Sequence, residues 1–100
     1  MSEGQIQDRI RLVLSDAGIV AWRNNTGFDE QRRVRYGLCV GSSDLIAILP
    51  GGRFAAIEIK TATGRLSKEQ RMFAELVTLK GGVFVVLRSE EEAREWLRTL

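Results

Sequence analysis

Two carboxylates and an ammonium, Asp44, Glu58 and Lys60, stand at the ends of neighbouring apolar runs. Asp44 opens an apolar run that continues to Leu49, and Glu58 and Lys60 close a second run that begins at Arg53. Between the runs stand Pro50, Gly51 and Gly52, a strong signal for a hairpin with a short loop. If Leu49 faces Arg53 across that loop, the same register sets Asp44 opposite Glu58, with their Cβ atoms roughly 4.5 to 5.5 Å apart. The register also pairs Ile48 with Phe54 and Ile46 with Ala56, so two carboxylates end an otherwise apolar cross-strand stripe. Side chains alternate along a strand, which puts Lys60 on the Glu58 face, one step further on.

Two carboxylates at that distance repel and require a cation. A divalent ion between them would polarise a phosphate and lower the pKa of a water, while Lys60 orients that water or stabilises the pentavalent transition state. The rest of the composition points the same way. The chain has no histidine and a single cysteine, Cys39, which removes imidazole ligation, histidine acid–base chemistry, multi-cysteine zinc sites and an internal disulfide framework. Any metal must be held by oxygen, which favours a hard cation, Mg²⁺ or Mn²⁺.

The elements that must position these groups are legible from periodicity. Ile6, Ile10, Val13, Leu14 and Ala17 recur at helical spacing, Ser2 and Gln5 match a capping box, and Gly18 is a stop. Ile19 to Arg23, with Trp22, reads as a short strand. Asn24 to Ser43 is polar, glycine-punctuated and arginine-rich without clean periodicity, a long loop of the functional kind. The strands Asp44 to Leu49 and Arg53 to Lys60 follow. Ser67 and Gln70 start a second helix whose buried stripe is Met72, Phe73, Leu76, Val77 and Leu79, ended by Gly81 and Gly82. Val83 to Leu87 is a β-branched strand that a crossover makes parallel to Arg53 to Lys60. Ser89 and Glu92 cap a terminal helix carrying Ala93, Trp96, Leu97 and Leu100. The order αβββαβα makes an α/β sandwich, a mixed four-stranded sheet flanked by helices.

The chain of 100 residues suffices for one domain, spanning residues 1–100, with a modest core. With 44% hydrophobic residues and one proline the composition is that of an ordinary folded protein, not a disordered one. No run approaches the roughly 20 apolar residues of a membrane span, and Ser2, Glu3 and Gly4 do not begin a signal segment, so a cytoplasmic location is expected. A net charge of +2 is too small to argue for nucleic acid by itself. Placement argues more strongly. Arg23, Arg32, Arg33 and Arg35, with Tyr36, lead into Asp44, while Arg65, Lys68 and Arg71 flank the other side, a cluster suited to neutralising phosphates.

Gly41, Ser42, Ser43, Asp44 and Leu45, then Ile57, Glu58, Ile59 and Lys60, then Gly64, Leu66, Ser67 and Gln70 together resemble the virus-type replication-repair nuclease (VRR-NUC) domains of the PD-(D/E)XK superfamily, in their stand-alone form. The likeness covers nearly the whole chain and implies a restriction-endonuclease-like core. It implies that Asp44, Glu58 and the carbonyl of Ile59 hold the metal, that Lys60 serves the nucleophile, that Gln70 helps place the lysine or water, and that Glu3 contributes to the metal shell. Ser43 stands where the superfamily name has proline, a position that shapes backbone rather than ligands. The resemblance further implies hydrolysis of branched DNA such as four-way (Holliday) junctions. It also implies a role in phage or mobile-element replication and repair, inside a bacterial or phage-infected cell. One centre per domain would make symmetric cutting of two strands the work of a homodimer.

Plainer readings stand beside these. Asp44 is also a turn aspartate bonding its own backbone, Glu58 and Lys60 a surface ion pair, and Glu3 a first-turn carboxylate favoured by the helix dipole. Gln70 completes a capping box with Ser67 as readily as it serves a centre. The arginine run is also ordinary solvated surface, Trp22, Phe73, Phe84 and Trp96 read as packing, and Cys39 as a small loop hydrophobe. A carboxylate inside Ala56, Ile57, Glu58 and Ile59 is hard to explain as surface, because buried acids are rare unless paired or metal-bound. Two other functions fit the same core: a nucleic-acid-binding module that does not cut, and a restriction-type nuclease acting at one duplex sequence.

Overall fold

A computed structural model describes the whole chain, Met1 to Leu100. Helix α1 (Glu3–Asp16) starts where Ser2 and Gln5 close a reciprocal capping box: the Gln5 N–H donates to Ser2 Oγ at 3.2 Å and the Ser2 N–H to Gln5 Oε1 at 2.9 Å. Its buried stripe is Ile6, Ile10 and Leu14. Strand β1 (Val20–Arg23) follows, then a short antiparallel ribbon of β2 (Gly27–Asp29) and β3 (Val34–Tyr36), then β4 (Leu45–Leu49) and β5 (Arg53–Ile59). Helix α2 (Lys68–Leu79), strand β6 (Val83–Leu87) and helix α3 (Glu90–Leu97) complete the chain.

The main sheet has four strands in the order β1-β4-β5-β6. The first two pairings are antiparallel and β5 with β6 is parallel, as a strand–helix–strand connection requires. Leu49 faces Arg53 and Leu45 faces Ile57, the register that the hairpin spacing predicts. The hairpin is closed by a turn in which the Gly52 N–H donates to the Leu49 carbonyl at 2.9 Å. Pro50 supplies the fixed φ of its second position, and Gly51 the positive φ of 86° that its third position needs.

Odd-numbered side chains of β4 and β5 point toward α1 and α3 and form the main core: Leu45, Ala47, Leu49, Ala55, Ile57 and Ile59 pack with Ile6, Ile10, Leu14, Leu87 and Ala93. Even-numbered side chains point the other way, where Ala56, Phe73, Val77 and Phe84 make a smaller cluster under α2. That helix lies over the β5–β6 side of the sheet and leaves β1 and β4 open.

Three sequence expectations are corrected. The segment from Asn24 to Ser43 is not a plain loop: it contains the β2–β3 ribbon, whose strands of three residues are too short to show a period of two. In α2 only Phe73 and Val77 are buried; Met72, Leu76 and Leu79 are exposed, because the helix has half a sheet beneath it rather than a whole one. Trp22 is 50% exposed for the same reason, lying on an edge strand that no helix covers. Phe73, Phe84 and Trp96 do pack into the cores. No helix is long and apolar enough to cross a membrane.

Candidate active site

The β4–β5 ladder stops at Leu45 and Ile57, one residue short of Asp44 and Glu58. Asp44 itself explains the stop. Its Oδ2 accepts the Ile59 N–H at 2.8 Å, replacing the next ladder bond with a side-chain one. In an extended strand the N–H and C=O of a residue project toward the same neighbour, so the Ile59 carbonyl also faces the Asp44 side. Asp44, Glu58 and Ile59 are thereby brought to one point by strand pairing, as the hairpin register anticipates. The plain turn-aspartate reading of Asp44 fails, since its carboxylate reaches a different strand.

The backbone ahead of Asp44 is held by a residue that the sequence does not single out. Asn24, just past β1, donates its main-chain N–H to the Asp44 carbonyl at 2.8 Å, and its Nδ2 donates to Ser42 Oγ at 2.8 Å and to the Ser43 carbonyl at 2.9 Å. Ser43, 1% exposed, donates its hydroxyl to the Leu45 carbonyl at 2.8 Å, so the residue standing in the proline position ties down the strand start. Gly41 allows the preceding turn to reach α2: with φ of 87°, a Cβ there would lie 2.5 Å from the Glu69 main chain. Asn24 carries no local signal; its role exists only because β1 pairs with β4.

Glu58 is 2% exposed, the one buried carboxylate in the molecule. Its Oε1 accepts a long 3.4 Å bond from Gln70 Nε2, and its Oε2 is buried with no partner. Burial pushes its pKa from 4.5 up to about 9, with the neighbouring Asp44 carboxylate and a further push from Glu3 acting in the same direction, while Lys60 opposes them. Lys60 is half-buried at the end of β5, and its charge is felt by Glu58. Glu58 is therefore no surface ion-pair member. Left as it is, the carboxyl keeps a proton; ionised, it needs positive charge beside its unpartnered oxygen.

That need is the test for a metal, and the donors fit. Two carboxylates and a main-chain carbonyl offer oxygen alone, matching a hard divalent ion that keeps several waters or phosphate oxygens in its shell. No group of three acidic, histidine or cysteine side chains gathers anywhere in the chain. Glu3, exposed on the first turn of α1, is close enough for its charge to raise the Glu58 pKa. Gln70 completes the capping box, its Oε1 accepting the Ser67 N–H at 2.8 Å, and its Nε2 also reaches Glu58 Oε1 at 3.4 Å.

The basic residues divide. Arg32, Arg33 and Arg35 are exposed on the β2–β3 ribbon, which leaves and rejoins the sheet at Asn24 and Ser43, beside Asp44. Arg65 and Lys68 are exposed in the stretch leading into α2, near Gln70. Arg71 is partly occupied, donating from Nη1 to the Leu66 carbonyl at 3.2 Å. Arg23 pairs with Leu45 and so falls on the sheet face opposite Glu58, away from the others.

Comparison with known proteins agrees with this geometry. A solved structure described as a VRR_NUC domain superposes with a TM-score of 0.71 at 21% identity, over 96% of this chain and 94% of that one, a likeness of fold. No curated protein gave a match. The sequence profile of the VRR-NUC domain matches residues 1–91. On that match, and with the nuclease-type fold it implies, the chain belongs to the VRR-NUC domain family.

Proposed function

We propose that the protein is a metal-dependent DNA endonuclease that hydrolyses phosphodiester bonds by direct in-line attack of water, with branched DNA such as four-way junctions as its substrate. The observation that carries this reading is the Glu58 carboxylate: buried, one oxygen without a partner, beside the carboxylate of Asp44 and within the field of Lys60. A purely structural acid in that position would cost stability for no return.

Asp44, Glu58 and the Ile59 carbonyl would hold Mg²⁺ or Mn²⁺, and the ion supplies polarisation of the phosphate and a lowered water pKa. Asp44 does this while remaining anchored to the Ile59 N–H, which keeps its second oxygen directed. Lys60 orients the attacking water or stabilises charge on the phosphate. Gln70, pinned by the start of α2, holds Glu58 in place. Glu3 adjusts the charge of the centre from outside it.

Arg32, Arg33, Arg35, Arg65 and Lys68 lie on the segments leading to and from the centre, where they can bind phosphates on both sides of the cut. Each chain has one such centre, so paired incisions in a branched duplex follow from a homodimer. The open half of the even-numbered sheet face, with Val20, Trp22, Ile48 and Phe54 exposed, supports that assembly.

The test is cleavage of labelled four-way-junction, flap and plain duplex DNA with Mg²⁺, Mn²⁺ or EDTA, beside Lys60→Ala and Asp44→Asn. Branch-selective cutting that needs metal and is lost in both variants is the expected result. Salt-sensitive binding without cutting under either metal would make the chain a binding module, and cutting at one duplex sequence regardless of branching would make it a restriction-type nuclease.

A further inference from the structure

Lys60 is the last residue that β5 can hold by pairing: its N–H donates to the Leu87 carbonyl at 3.2 Å, and beyond it the chain leaves the sheet. The next residues form a turn in which the Gly64 N–H returns to the Thr61 carbonyl at 3.2 Å. Ala62 and Thr63 at its tip are exposed, on the rim of a cavity shared with Ile6 and Arg9 of α1 and Glu90 of α3. A lysine at such a frontier would have a mobile stem unless something outside the strand confined it.

Arg88 supplies the confinement. The parallel register ends with Ile59 beside Leu87, and Arg88 is the residue that follows Leu87, whose carbonyl accepts the Lys60 N–H. The half-buried Arg88 side chain donates from Nη1 to the carbonyls of both Thr61 and Gly64, each at 2.7 Å. Both are charge-assisted bonds, about twice as strong as neutral ones. The backbone of Arg88 is itself fixed, since its N–H donates to Glu92 Oε1 at 2.8 Å on α3. Arg88 makes no ion pair with any carboxylate, so its charge is spent on the turn. The turn in its place lies on the lysine stem: a Cβ added at Gly64 would sit 3.3 Å from Lys60 Cδ and 3.5 Å from Lys60 Cβ.

We propose that Arg88 is a positioning residue for Lys60: it clasps the Thr61–Gly64 turn, the turn walls the lysine stem, and the ammonium is thereby held on the Glu58 side. The assignment rests on the nuclease reading above. A side chain at Gly64 would crowd the Lys60 stem and, equally, Thr61 Oγ1 at 3.3 Å, so the stem would have to shift by a few tenths of an ångström.

The experiment compares wild-type protein with Arg88→Ala, Arg88→Lys and Gly64→Ala, measuring kcat and KM on the junction substrate with Mg²⁺ and DNA affinity separately in EDTA. Arg88→Ala is expected to lower kcat by about 10²-fold, the scale of an ångström misplacement of a reacting group. KM and EDTA affinity should stay within about two-fold of wild type. Arg88→Lys, which keeps a cation able to reach both carbonyls, should recover about ten-fold of that loss. Gly64→Ala, which leaves Arg88 untouched and disturbs the stem from the turn side, should lower kcat by roughly three- to ten-fold with KM kept. If Arg88→Ala fails to fold, Arg88→Lys and Gly64→Ala decide by the same split.

An unchanged kcat in all three variants overturns the proposal. So does a loss seen in KM and in the salt dependence of binding, which would make Arg88 a phosphate ligand. Wild-type protein that cuts nothing under any metal removes the nuclease reading and this role with it. Wild-type cutting with fully active Arg88 and Gly64 variants removes this role alone.

Discussion

The two faces of the β4–β5 pair are built from the same residues taken alternately, yet they sit in different surroundings. On the odd-numbered face Leu45, Ala47, Ala55, Ile57 and Ile59 are all but inaccessible under α1 and α3, and nothing polar interrupts them. On the even-numbered face the row runs from Ile48, 51% exposed, through Ala56 to Glu58, 2% exposed. Helix cover accounts for the difference. Two helices close the first face, while α2 alone covers only part of the second and stops where the carboxylates begin. One face is a core, and the other is a core that ends in two carboxylates. The carboxylates lie at that border, Glu58 desolvated and Asp44 half-buried beside it.

The comparison can be broken most decisively at the edge of the even-numbered face. Lys60→Ala and Asp44→Asn are expected to lower kcat by roughly 10²- to 10³-fold, with the melting temperature little changed because neither group belongs to a packed core. Ile10→Ala or Leu14→Ala on the odd-numbered side should do the reverse. Urea unfolding is expected to show a loss of about 2–5 kcal/mol, and the folded fraction should cut at the wild-type rate. Equal kinetic damage from both sets would mean that the faces are not functionally separate.

Glu58→Gln sharpens the contrast, because it removes a charge from a dry place. It should abolish metal-stimulated cutting yet stabilise the metal-free protein at high pH by about 1–3 kcal/mol, the scale of an uncompensated buried polar group. The pH dependence follows from the sign of the shift. A carboxyl raised from 4.5 to about 9 favours the folded state when protonated. Its contribution is complete below pH 4.5 and disappears as pH rises toward 9. Thermal unfolding of the metal-free wild type should therefore fall by at least ~5 °C more than that of Glu58→Gln between about pH 5 and pH 9. Divalent metal should raise the wild-type melting temperature most at the alkaline end, where the ligand is ionised. The smallest effect is expected from Arg32→Ala, Arg33→Ala or Arg35→Ala on the ribbon. Each should reduce the salt slope of DNA binding by up to about 0.9 for every phosphate left without its cation, with kcat at saturating DNA unchanged.

Much of this arrangement is legible in the chain because it depends on local rules. Pro50-Gly51-Gly52 closes a hairpin whatever surrounds it, so the pairing that carries Asp44 to Glu58 can be counted out in advance. Ser2 with Gln5 and Ser67 with Gln70 mark helix starts through bonds spanning three residues. The β2–β3 ribbon is missed because three-residue strands carry no usable period, and Met72, Leu76 and Trp22 are misplaced because an apolar residue does not say whether a neighbour covers it. Asn24 and Arg88 have no local mark at all. Each acts through a strand partner distant in sequence, Asp44 in one case and the turn after Lys60 in the other.

Residue types and spacing alone were enough to exclude histidine, to bring two acids and a lysine together by a hairpin register, and to mark the resemblance to the VRR-NUC family that the domain match bears out. Residue type and spacing along one hairpin suffice for that. The condition of those groups came from the fold. Packing leaves Glu58 dry with one oxygen unpartnered, commits one Asp44 oxygen to the Ile59 N–H, makes Gln70 both cap and contact, and brings the Glu3 charge within range of Glu58. The reason is physical. Pairing within a hairpin is set by neighbours in the chain, whereas desolvation and charge coupling are set by whatever the fold packs alongside.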